Sequence, residues 1–134
     1  MQTSLTSRES KNQLHEELRH RILALPGVTE RQNAGIHEDA FFVGRTMFMH
    51  IHGAAHCDIR LSKADQERIL AEGKARRHHW APEAGYVTFI ARDEKELEPV
   101  MELIRISHQH FVSRSAKVSQ CASIQRAPIQ TLAV

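Results

Sequence analysis

Residues 47–61 limit what this chain can fold into more than any other stretch. Met47, Met49 and Ile51 alternate with Phe48, His50 and His52, and beyond Gly53-Ala54-Ala55 the residues Cys57, Ile59 and Leu61 alternate with His56, Asp58 and Arg60. Period-two alternation marks a strand with one apolar face, so two such runs predict a hairpin. A three-residue loop over 53–55 pairs 51 with 57, 49 with 59 and 47 with 61, which puts every apolar residue on one face. A two-residue loop would set His52 against Ala55 and Ile51 against His56, mixing the faces. A one-residue slip reverses every side chain, so the pattern selects the longer loop. The same register sets His50 opposite Asp58 and His52 opposite His56 on the second face.

Elements on either side can be read from their periods. Ser10 with Gln13 forms a capping-box pattern before Leu14, Leu18, Ile22 and Leu25, and Pro26-Gly27 closes that helix. A short extended segment follows near Val28–Gln32, and Ala40–Val43 is a strand with Gly44-Arg45 as its turn. Ser62 caps a second helix with Ile69 and Leu70 on its buried side and Gly73 after its end. Tyr86–Ile90 is a β-branched and aromatic strand. Asp93 and Glu94 open a last helix with Leu97, Val100, Met101, Ile104, His108 and Phe111 in one stripe. The order α-β(3-4)-α-β-α predicts an α+β fold, a two-layer antiparallel sheet with helices on one face. The other face stays open to bind or to be wet. The domain is expected over residues 10–112, with flexible termini at 1–9 and 113–134, because apolar periodicity stops at Ser113.

With 134 residues the chain suits one domain. Its apolar runs are too short to span a bilayer, and Met1–Asn12 has no apolar signal-peptide core, so a cytosolic protein off the membrane is expected. Cys57 and Cys121 form no disulfide or zinc-ribbon pattern. The net charge of +2 hides an asymmetry: after Glu102 come Arg105, Arg114, Lys117 and Arg126 and no acid. Four cations over so long a segment are sparse for a nucleic-acid arm.

Two clusters carry chemistry. The hairpin face gathers His50, His52, His56 and Asp58, whose donor types suit zinc or another divalent transition metal. Asp58 could instead orient a neutral imidazole without binding metal itself. Arg76-Arg77-His78-His79-Trp80 sets cations beside an aromatic, and with Lys74 it offers contacts to an anion or to nucleic acid. No glycine-rich phosphate loop, Gly-x-Ser-x-Gly or His-Glu-x-x-His motif is present, and no nucleophile or general base accompanies the histidines. The expectation is a non-enzymatic binding module for a small molecule or a protein, with His50, His52, Asp58, Arg77, His78, His79 and Trp80 as contacts; a metal-binding protein or metal-dependent enzyme, and a weak nucleic-acid binder, are the alternatives.

The series Leu25-Pro26-Gly27-Val28, His50-Ile51-His52-Gly53, Asp58, Ala71-Glu72-Gly73-Lys74-Ala75, His78-His79, Pro82, Gly85-Tyr86-Val87 and Leu103-Ile104-Arg105-Ile106-Ser107 resembles the bacterial and fungal luciferase-domain family over residues 14–111. A more distant similarity is to the MmcQ/YjbR proteins, which implies a two-layer α+β fold. The resemblance implies that His50, His52, Gly53, Asp58, His78 and His79 are family positions. His56 departs from the pattern, and Tyr86 stands where the family commonly has Trp. Luciferase activity does not follow from the name, because flavin-dependent luciferases are barrels of about 250 residues.

Overall fold

Thr6, four residues before the expected cap, starts the first helix. Its side chain accepts from the Glu9 backbone amide while the Glu9 carboxylate accepts from the Thr6 amide, a reciprocal capping box. Helix α1 (Ser7–Leu23) then buries Leu14, Leu18 and Ile22. The computed structural model describes residues 6–33, 38–53, 55–78 and 82–132.

Five strands and a two-residue edge strand form one antiparallel sheet. They are β1 (Val28–Asn33), β2 (Glu38–Val43), β3 (Thr46–His52), β4 (His56–Arg60), β5 (Arg76–Arg77) and β6 (Tyr86–Ile90), in the spatial order β1-β2-β3-β4-β6-β5. Helix α2 (Lys63–Ala71) links β4 to β5, a 3-10 turn at Pro82–Ala84 precedes β6, and helix α3 (Leu97–Leu132) ends the chain. The fold is α+β, as the element order implies. Helix α1 packs against α3 and β1, and α3 lies against β2, β3 and β4. One core forms between the helices and one face of the sheet: Leu18, Ile22, Phe41, Met49, Ile51, Ile59, Ile69, Val87 and Ile104 are all fully buried.

The central hairpin has the expected register. Met49 pairs with Ile59, His50 with Asp58, Ile51 with Cys57 and His52 with His56. Ala55 turns the loop with φ 57°, a left-handed conformation two residues beyond Gly53 at φ 54°. The β3–β4 ladder ends at Met49–Ile59, short of the expected pairing of Met47 with Leu61, and on its other edge β3 meets β2 through a bulge. Phe41 pairs with Met49 but Phe42 with Met47, so Phe48 is the extra residue. The bulge turns Phe48 into the core, fully buried and edge-on to His108 of α3, and leaves Met47 half-buried. Ser107, also buried, donates its hydroxyl to the carbonyls of Phe48 and Arg60 and ties α3 to the hairpin. The reason is volume: Phe48 fills the space beneath α3.

Gly85 leads into β6 with φ +92°, and a Cβ there would overlap the Leu61 carbonyl oxygen. Its own carbonyl accepts from Leu61 N–H at 2.9 Å, so the end of β4 and the start of β6 meet with no room for a side chain. Helix α3 does not stop at Ser113, where the stripe predicts a tail, but runs to Leu132. Residues 112–116 are exposed, so periodicity fades because burial ends, while the backbone stays helical. Among the described residues no helix is long and apolar enough to cross a membrane.

Candidate functional site

The centre of the polar face is Asp58, which is 3% exposed. Cross-strand pairing carries the face sideways from Ala40 through His50, Asp58 and Thr88 to Arg76. One row nearer the loop it runs from Glu38 through His52 and His56 to Ile90.

A buried carboxylate is costly unless hydrogen bonds replace water. Thr88 Oγ1 donates to Asp58 Oδ1 at 2.8 Å, and His50 Nε2 lies 2.9 Å from Oδ2. The Nε2 atoms of His52 and His78 stand 3.1 and 3.5 Å from that same oxygen, and His56 Nε2 is 3.7 Å from Oδ1. Burial pushes the Asp58 carboxyl up, but the His50 and Thr88 hydrogen bonds and the nearby His50 and His78 charges outweigh it and hold it at about 2. Asp58 is therefore ionised at neutral pH, and the His50 Nε2–H donates to it. Tyr86 stacks at a tilt between His50 and His78, with ring centroids 5.8 and 5.4 Å away, and burial pushes its phenol up.

The second nitrogen of His50 carries the most information. Nδ1 is buried and has no hydrogen-bond partner, and the atom facing it is Glu38 Oε1 at 3.6 Å. With the proton on Nε2, a neutral ring would point a bare lone pair at a carboxylate. Two acceptors then face each other, and a second proton or a metal cation between them would relieve the repulsion. Donor atoms of Glu38, His50 and His52 all lie within 4.8 Å of one another, the span a single ion can bridge. A second group, His50, Asp58 and His78, meets the same criterion. In that group His50 and Asp58 already satisfy each other.

The structure thus brings together His50, His52, Asp58 and His78, with His56 at the margin and outside both groups. Arg77 pairs with Val87 and belongs to the core side of the sheet, so it does not join them. His79 and Trp80 lie outside the described residues. Lys74 is exposed and pairs with Glu72 at 3.1 Å and Glu102 at 3.4 Å. Cys57 is fully buried on the core side, and burial first, then Asp58, pushes its thiol up. It acts as a small apolar residue.

Glu38, Thr88 and Tyr86 join the site although the sequence pattern does not single them out. Thr88 and Tyr86 sit in a recognised strand whose neighbour is settled only by three-dimensional pairing. Glu38 falls just outside the β-branched and apolar run that signals β2.

Residues 45–107 match the family model of the luciferase domain. The match covers just under half of the chain, within the wider stretch over which the motifs resemble that family, and includes His50, His52, Asp58 and His78 but not Glu38. No curated protein and no solved structure gives a match.

Proposed function

We propose that the protein whose residues 45–107 carry the luciferase-domain match is a binding module working through the polar face of its sheet. Glu38, His50 and His52 hold a divalent transition metal there. Asp58 accepts a hydrogen bond from His50 Nε2–H, fixing the tautomer that presents Nδ1 to the ion, as a carboxylate does behind a metal-bound imidazole. Imidazole and carboxylate donors with no thiolate suit zinc first. Three protein ligands leave coordination positions open, so the metal can receive a small ligand, and no side chain here is placed as a nucleophile.

The orphaned Nδ1 of His50, facing Glu38 Oε1 at 3.6 Å, supports this reading most strongly. Elemental analysis of protein purified without a polyhistidine tag tests it. The expected result is about one equivalent of bound metal, and a chelated sample whose melting temperature rises when zinc is restored. Less than about a tenth of an equivalent, with no thermal response to zinc, contradicts it.

A further inference from the structure

Beside the metal ligands lies a second feature that the metal does not explain. Where the tip of the β3–β4 hairpin meets the end of β6 and the first turns of α1, there is an open cavity of about 740 Å³. Lys11, His52, Gly53, His56, Ile90, Ala91 and Arg92 line it, and among the described residues no acidic side chain does. Cross-strand pairing of His56 with Ile90 and the Ala91 N–H bond to the Ala55 carbonyl build its wall from ladder backbone. Neither the Lys11 ammonium nor the Arg92 guanidinium has an ion pair or side-chain hydrogen bond among the described residues.

We propose that this groove binds a small organic anion, with a phosphate or carboxylate group held between Lys11 and Arg92 and its hydrocarbon or aromatic body against Ile90 and Ala91. Two cationic residues in one lining and no acid among the described residues there favour a negative charge, and an arginine fork matches a planar or tetrahedral oxyanion. The half-buried Ile90 and buried Ala91 offer an apolar surface that a simple inorganic ion would leave unused. His52 lines the groove as well as the metal group, so the bound anion lies next to the ion. The groove is complete without the metal.

The test is an amide chemical-shift titration of chelator-treated protein with phenyl phosphate, inorganic phosphate and benzyl alcohol. Phenyl phosphate is expected to saturate and to move the amides of Gly53, Ala91 and Arg92. Inorganic phosphate should bind more weakly and benzyl alcohol not at all. Arg92→Gln and Lys11→Gln, both at exposed positions, should each weaken phenyl phosphate about tenfold and flatten its salt dependence. Shifts that do not saturate, shifts centred elsewhere, variants that bind like the parent, or inorganic phosphate binding as tightly as phenyl phosphate would each overturn the assignment. Because the metal is removed, failure of the metal reading leaves this outcome unaffected.

Discussion

A carboxylate taken out of water must be repaid in hydrogen bonds, and at Asp58 the return comes from His50 and Thr88. The folded carboxyl titrates at about 2, below its ordinary 3.8. A depressed value stabilises the fold above the unfolded value, and that stabilisation is lost as pH falls from about 4 towards 2. Its size is about 2 kcal/mol. In chelated protein, Asp58→Asn is expected to lower urea stability by about 2–3 kcal/mol at pH 7, with the gap to the parent closing below pH 4. A gap that stays constant down to pH 3 would show that the carboxylate charge does not matter. Glu38 makes the opposite prediction. If it faces a lone pair in the metal-free protein, Glu38→Gln leaves metal-free stability within about 0.5 kcal/mol and abolishes the zinc thermal shift. A loss of more than about 1 kcal/mol without metal would mean that Glu38 is paired with an imidazolium. Asp58 and the histidines could be read from the sequence because strand alternation assigns each residue to a face. Glu38 could not, since only the β2–β3 ladder brings it opposite His52.

At the scale of elements, the hairpin shows where pattern succeeds and where it fails. From Met49 to Ile59 the alternation gives the true pairs, because each face has one environment. At Phe48 the pattern breaks for a packing reason: α3 needs volume at that point, and the bulge supplies it. Phe48→Ala is therefore expected to cost about 3–5 kcal/mol, whereas Met47→Ala costs at most about 1 kcal/mol, as thermal or urea unfolding would measure. Strict alternation demands the reverse order, and finding it would remove the bulge from the account. The first helix was legible in its stripe of Leu14, Leu18 and Ile22 but not in its start, because two polar residues could each act as cap. Thr6 wins with Glu9 at the reciprocal position.

At the scale of the whole molecule, a body that ends at Phe111 is joined to a helix that continues beyond it. Phe111 is the last buried residue of α3 among those whose burial is described, with the Arg60 guanidinium 5.2 Å from its ring centre. A chain ended after Val112 is expected to keep its unfolding free energy within about 1 kcal/mol and to lose only helical ellipticity. A drop of several kcal/mol would show that the later turns of α3 pack on the body. The layered α+β architecture was readable from element order alone. The length of α3 was not, since apolar spacing reports burial and says nothing of a helix in solvent. The proposed function requires one ion among three side chains of the polar face. X-ray absorption at the zinc edge of loaded, tag-free protein tests that most directly. The expected result is a shell of nitrogen and oxygen only, with imidazole scattering from two rings at about 2.0–2.1 Å. A sulfur shell near about 2.3 Å, or scattering without imidazole, would contradict it.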